Sequence, residues 1–307
     1  MSRTLALADA RHLPLAGGVV QTVITSPPYF GLRDYGVDGS IGLEPTPDAY
    51  VASLVAVFAE VWRVLRDDGT VWLNLGDSYA ANRSYQVPST KGGPKHSPAQ
   101  ANQTSNHVPD GLKSKDLIGI PWRVAFALQA AGWYLRSDII WAKPNPMPES
   151  VRDRPTRSHE YVFLLTKQEK YYYDYKAVRE PSTGVTGGGF SKVYAEAQPA
   201  HGAMRLARPQ DNGWRNRRSV WTITPQPFRG AHFATFPPAL VEPCLLAGST
   251  SWQQDADRSL VLDPFCGSGT VGLVARQNDR AFVGFDLNLN YIQMARRRIS
   301  GERESLT

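Results

Sequence analysis

Residues 260–286 read LVLDPFCGSGTVGLVARQNDRAFVGFD, and this stretch limits the fold more than any other part of the 307-residue chain. An apolar run, Leu260–Phe265, stops at a turn holding Gly267 and Gly269, and a helix is predicted from near Thr270. A second apolar run, Ala281–Phe285, follows and ends at Asp286. Short apolar runs bounded by turn residues read as buried strands. The same alternation recurs upstream, with strands expected at Val19–Thr25, Thr70–Leu75, Leu135–Trp141 and Tyr161–Thr166. Helices are expected at Asp48–Leu65, closed by Asp68-Gly69, at Asp116–Ala131, capped by Gly132, and at Asn290–Ile299. In the first of these, Tyr50, Leu54, Val57, Phe58, Val61 and Leu65 fall on one face. Strands that alternate with helices predict an α/β fold, a mostly parallel sheet covered on both sides.

The glycine turn also suggests a ligand. Gly267 and Gly269 would let backbone approach a bound group where a side chain would intrude, and the helix that follows presents free N–H groups. Asp286, about 20 positions beyond the turn, suits the two hydroxyls of a ribose. The loop departs from the dinucleotide GxGxxG and lacks the GK[ST] ending of a phosphate loop. It reads as a site for an adenosine-containing cofactor.

A second strand ends as abruptly, in VVQTVITSPPYFG (19–31). Pro27 and Pro28 fix φ, remove two N–H donors and restrain Ser26. The result is a stiff loop of carbonyl and hydroxyl acceptors beside the Tyr29 ring, suited to a neutral amino group on a planar base.

Together these elements resemble the β-class amino-methyltransferases of DNA, in which a (S/D)PP(Y/F) motif comes first and DPFxGSGT last. The resemblance runs over nearly the whole chain, through GTVWLNLGDSY (69–79), WAKPNPMPESVRDRPTRSHEYVFLLTK (141–167) and HFATFPPALVEP (232–243). It implies a Rossmann-like methyltransferase fold with a seven-stranded type of sheet in permuted order, and S-adenosylmethionine as cofactor without a metal. It further implies that Ser26, Pro27, Pro28 and Tyr29 are catalytic: Ser26 and the Pro27 carbonyl accept from the target amine, and Tyr29 stacks on a flipped base. Asp263, Phe265, Gly267, Ser268, Gly269, Thr270 and Asp286 would surround the cofactor. Asp9 would meet its adenine, and the stretch from His232 through Thr235 to Pro237 would close over its methionine end. Cys266 stands where alanine is commoner in the family. Ser rather than Asp before Pro-Pro goes with the 4-amino group of cytosine, and the 6-amino group of adenine is the alternative. An Asn in that position would suggest a protein side-chain amide instead, and a catalytically silent DNA-binding module is a further class.

Charge agrees with a polyanionic partner, double-stranded DNA: the formal net charge is +6 and the pI near 9.3. Two long polar stretches interrupt the α/β rhythm, and loops of that length are usually functional or disordered. Asn82–Lys115 holds five Lys or Arg against one acid. Thr183–Arg218 opens on a glycine cluster and ends with Arg205, Arg208, Arg215, Arg217 and Arg218, and is the candidate for target recognition. Arg152 and Arg154, with Arg157, read as phosphate contacts, and His159-Glu160 as residues that orient the sheet edge. The chain then divides into a catalytic half over 1–81 and 117–182, a basic insertion at 82–116, a recognition region at 183–218 and a cofactor half at 219–307. Cys244 and Cys266 lack CxxC spacing, so neither a disulfide framework nor a zinc site is expected. The N-terminus shows no cleavable signal pattern and no apolar run spans a membrane, so the cytoplasm of a prokaryotic or phage-host cell is expected. The family admits a cognate restriction endonuclease as partner, and a monomer or homodimer.

Overall fold

The computed structural model describes residues 3–31, 37, 39–80, 108, 111–182, 213–226 and 236–301. The strands in chain order are β1 (Arg3–Leu7), β2 (Val20–Thr25), β3 (Leu65–Leu75), β4 (Tyr134–Ala142) and β5 (His159–Thr166). They continue as β6 (Glu180–Pro181), β7 (Trp214–Arg215), β8 (Val220–Thr222), β9 (Leu260–Asp263) and β10 (Ala281–Asp286). The helices are α1 (Pro47–Val64), α2 (Ile120–Ala130), α3 (Tyr175–Val178), α4 (Pro238–Gly248), α5 (Thr270–Gln277) and α6 (Leu289–Ser300).

Eight strands form one sheet in the order β1-β10-β9-β2-β3-β5-β4-β8, parallel except that β5 runs against both neighbours. The six expected strands are all present, within a few residues at their ends. Successive side chains feed opposite faces, as pleating requires: Val71 and Leu73 enter one core, and Trp72 the other. The first core takes the apolar face of α1, with Tyr50, Leu54, Val57, Phe58 and Val61, together with α2. The second takes α4, α5 and α6. Each large side chain buried this way contributes about 1.5–3 kcal/mol.

Three local expectations change. Helix α1 ends at Val64 and Leu65 is already extended, so Asp68-Gly69 lies in β3 rather than closing the helix. There the pairing with β2 slips between Val20 and Thr22, and a Cβ on Gly69 would lie 2.8 Å from the Gln21 carbonyl oxygen. Helix α2 begins at Ile120 instead of Asp116, because its cap comes from elsewhere in the chain. The Asp77 carboxylate accepts from the Gly119 and Ile120 amides at 3.0–3.1 Å. The end of α2 is as expected: Gly132 (φ +107) donates to the Gln129 carbonyl and Trp133 to that of Leu128, a Schellman closure. Helix α4 was not legible. It is mostly apolar and mostly buried, with Glu242 as its one charged residue, and Pro243 lies inside it.

This topology fixes where a ligand goes. From β2 the chain crosses through α1 to β3, and from β9 it crosses through α5 to β10 on the opposite side. Strands β2 and β9 are parallel neighbours, with Thr22 opposite Val261 and Val23 opposite Leu262. Diverging connections leave a crevice beyond the carboxyl ends of these two strands.

Candidate active site

The crevice is an open cleft, and both sequence motifs line it: Ser26–Tyr29 on one wall, Asp263–Ser268 and Asp286 on the other. One buried hydrogen bond ties the walls together. Thr25 Oγ1, on the last residue of β2, donates to Asp263 Oδ1 at 2.7 Å. The same oxygen accepts from the Phe265 amide at 3.1 Å. Burial pushes the Asp263 carboxyl up to about 7, against these two donors and with the help of nearby Asp286.

On the catalytic wall, the Pro28 carbonyl accepts from the Tyr50 hydroxyl at 2.8 Å, whereas the described residues offer no donor to the Pro27 carbonyl. Tyr29 is pinned at its far end. Its hydroxyl donates to Glu160 Oε2 at 2.7 Å and lies 3.2 Å from Asn74 Oδ1. Asn74 Nδ2 in turn donates to Glu160 Oε2 and to the Tyr161 carbonyl, and Lys143 is bonded to Glu160 Oε1. The ring lies so close to Gly76 that a Cβ there would be 2.5 Å from it. Burial and then the Glu160 charge hold the Tyr29 phenol well above its ordinary value, while a hydrogen bond with Ser26 acts the other way. Glu160, read from sequence as orienting the sheet edge, is the anchor of Tyr29. His159 packs edge-on against Tyr161 at 5.3 Å.

On the cofactor wall, Asp286 Oδ2 accepts from the Gly267 amide and Oδ1 from the Asn288 amide, each at 2.9 Å. The two adjoining loops are thereby latched to one carboxylate, whose pKa burial raises. Gly267 has φ +47 and Gly269 φ +77. The reason for glycine at 269 differs from the one expected: a Cβ there would lie 2.8 Å from Ala295 Cβ, so close packing of α6 excludes it. Gly269 is also absent from the cleft lining. Ser268 and Thr270 do line the cleft, yet their hydroxyls meet Arg298 Nη1 from α6 at 2.9 and 3.0 Å. Asp9 lines the cleft too, its carboxylate held by Arg11 at 2.7 Å, which lowers its pKa. Phe265 and Cys266 complete the floor, and burial keeps the Cys266 thiol protonated. Pro237 is buried at the start of α4, and its neighbour Phe236 faces the cleft instead. Thr235 lies outside the described residues. Three acids and a glycine-bearing turn at an open cleft fit an adenosine carrying a positively charged amino-acid tail, which is the make-up of S-adenosylmethionine.

The basic residues divide. Arg215 and Arg218 both pair with Glu180, at 2.9 and 2.6 Å, and Arg217 stacks 4.6 Å over the Trp221 ring. The Ser182 amide donates to the Gly213 carbonyl, so the chain on either side of residues 183–212 meets at one point. Arg154 stacks 3.8 Å over Tyr79 and pairs with Glu149, whereas Arg152 is exposed. Arg205 and Arg208 lie outside the described residues, as does nearly all of Asn82–Lys115. The described residues contain no cluster able to hold a metal, and no helix among them is long and apolar enough to cross a membrane.

The family model for N6/N4 DNA methylases matches residues 20–297. The chain belongs to that family. Among curated relatives, the type II methyltransferase M.Cfr9I of Citrobacter freundii is 50% identical, covering 97% of this chain and 86% of that protein. M.SmaI of Serratia marcescens, also a type II methyltransferase, is 46% identical over 97% and 90% respectively. The fold is shared with the PvuII DNA methyltransferase, described as cytosine-N4-specific (TM-score 0.64, 17% identity, covering 100% of this chain and 89% of that one). It is shared too with a putative DNA modification methylase of Thermus thermophilus complexed with S-adenosylmethionine (TM-score 0.59, 22% identity, 99% and 95%). The chain is a DNA methyltransferase with a Rossmann-like fold and the β-class order of motifs.

Proposed function

We propose that this methyltransferase modifies the 4-amino group of cytosine in duplex DNA, with S-adenosylmethionine as donor. The Thr25–Asp263 hydrogen bond carries the reading, because it joins the amine-binding loop and the cofactor loop at the base of a single cleft. Asp263, Phe265, Gly267 and Asp286 would hold the cofactor, with Asp286 on the ribose, Asp9 near the adenine and Phe236 on the side of its methionine end. When bound, S-adenosylmethionine supplies an electrophilic methyl group on a positively charged sulfur.

The chain's own residues make the amine able to react. A base amino nitrogen is a poor nucleophile, because its lone pair is delocalised into the ring. Hydrogen bonds from the amino hydrogens to Ser26 Oγ and to the Pro27 carbonyl favour a tetrahedral nitrogen with its lone pair freed. They strengthen as positive charge develops there, and so favour the transition state over the ground state. That Pro27 has no competing donor among the described residues, while Pro28 is occupied by Tyr50, supports this division of roles. Tyr29, fixed by Glu160 and Asn74, offers its ring to a base that has left the stack.

Ser26 favours cytosine, through the family correlation given above. The test is to digest DNA methylated by the protein to nucleosides and separate the products by mass spectrometry. Methyl label in 4-methylcytosine is expected. Label in 6-methyladenine alone would overturn the choice of base and leave the fold and cleft unaffected, and an unmethylated product would overturn the reaction. Residues 183–218 are the proposed reader of the target sequence, with residues 82–115 as a second contact.

A further inference from the structure

Met147 is the most exposed large apolar side chain in the described structure, at 86%, where the next reach only 57%. Isolated exposed apolar residues are ordinary, but this one is held out by its surroundings. It lies in the connection between β4 and β5, residues 143–158, between Pro146 and Pro148, with Pro144 and Pro155 nearby. Prolines fix φ and restrict the residues before them, so the backbone around Met147 has few conformations to choose from. The connection is also closed on itself. The Lys143 amide donates to the Ser158 carbonyl at 2.7 Å, and Glu149 accepts from Arg154 Nη1 at 2.7 Å and from the Arg157 amide at 3.3 Å. Arg154 rests on Tyr79, and Asp153 is held by Lys115 at 2.7 Å. A methionine is thus presented to solvent on a braced loop.

The loop's position names its partner. Its two ends are Lys143 and, just past its close, Glu160, the pair that anchors Tyr29. Met147 is four positions beyond Lys143, so their Cα atoms lie within about 14 Å of each other. The loop carries four cations, Lys143, Arg152, Arg154 and Arg157, against two acids, Glu149 and Asp153, with Arg152 exposed. A basic loop with an exposed apolar side chain beside a site that accepts an extruded base matches a wedge for a duplex. Apolar side chains, methionine included, enter between base steps and offset the cost of unstacking.

We propose that Met147 enters the base stack at the position the target base vacates, and so favours the extruded state. The inference rests on the reading of the cleft as a DNA base site. An unbranched thioether suits this role, since it can adapt to the irregular gap between base pairs.

Met147→Ala and Met147→Leu should be assayed on two substrates: a matched duplex, and the same duplex with the target base mispaired. In the mispaired duplex extrusion is already cheap. On matched DNA, Met147→Ala should fall by about tenfold or more, with Met147→Leu close to the parent. On mispaired DNA all three should agree within about twofold, with cofactor affinity and melting temperature unchanged. Parent-like rates for Met147→Ala on matched DNA would overturn the wedge, as would an equal loss on both substrates. A parent protein inactive on both duplexes would instead refute the base-site reading, and the wedge with it.

Discussion

Replacing Asp263 by Asn should change how the stability of the cofactor-free protein depends on pH, in a direction the structure fixes. Asp263 is buried at the end of β9, and its carboxyl is pushed up to about 7 from an ordinary 3.8. A raised carboxyl means that the folded protein holds a proton which the unfolded chain has released. The group's contribution is therefore fully present below pH 3.8 and is lost as pH rises to about 7. At about 1.4 kcal/mol per pH unit, the full interval amounts to about 4 kcal/mol. About 3 kcal/mol of it falls between pH 5 and pH 8. Asparagine keeps a carbonyl for Thr25 Oγ1 and the Phe265 amide, and adds an amide group whose burial cost does not vary with pH. Urea unfolding of both proteins across this range isolates the carboxyl, because the other titrating groups are common to the pair. The difference, variant minus parent, should rise by about 3 kcal/mol from pH 5 to pH 8. A difference that stays flat would refute the protonated carboxyl. The same carboxyl predicts proton release when a sulfonium cofactor binds near pH 6.5, since a neighbouring positive charge favours the anion. Calorimetry in two buffers of different ionisation enthalpy measures it.

Three further outcomes are expected. Ser26→Ala removes an acceptor whose value grows as the amine becomes charged, so kcat should drop by about 10²–10³ while DNA and cofactor affinities hold; full turnover in that variant would defeat the mechanism. Glu160→Ala removes the nearer of the two acceptors of the Tyr29 hydroxyl and should lower kcat by about tenfold or more without raising KM for the cofactor. Glu160→Gln, which still accepts from Tyr29, should recover most of that loss, and equal loss in both would mean that Glu160 acts otherwise. Replacing Arg215, Arg217 and Arg218 by Ala should weaken duplex binding and flatten its salt dependence, with cofactor binding spared. Matching affinities across salt concentrations would remove these residues from the interface.

What the sequence made legible was local in origin. Buried strands announce themselves by apolar runs, the amphipathic α1 by its spacing, and the end of α2 by Gly132, where a left-handed conformation favours glycine. The two cleft loops were legible for the same reason, since a double proline and a glycine turn each act on their own backbone. What escaped is paired across the chain. Asp77 caps α2 from 42 residues away, Glu160 reaches Tyr29 across 131, and Arg298 holds Ser268 and Thr270 from 30 and 28. None of these acceptors or donors carries a local signal of its partner. Arg11 on Asp9 is the exception, two residues apart, and an i to i+2 acid–arginine pair could have been weighed. The role of Gly269 was misassigned because sequence shows that a Cβ is excluded, without showing which neighbour excludes it.

The order of the two motifs along the chain has little bearing on the chemistry, and the sheet shows why. Strands β2 and β9 meet at the centre, with β3, β5, β4 and β8 on one side and β10 and β1 on the other, so that β1 and β8 each pair outside the half of the chain to which sequence assigned them. Residues 238 positions apart thus become neighbours at 2.7 Å, in the Thr25–Asp263 bond. A chain that began with the cofactor half would place the same two strands side by side, provided both crossovers kept their hand. The cleft depends on which strands adjoin and diverge. The segments proposed above to select the target, such as the one entered at Ser182 and left at Gly213, lie outside this pair of strands. Those segments can change in length and sequence without disturbing the bond that joins the two walls.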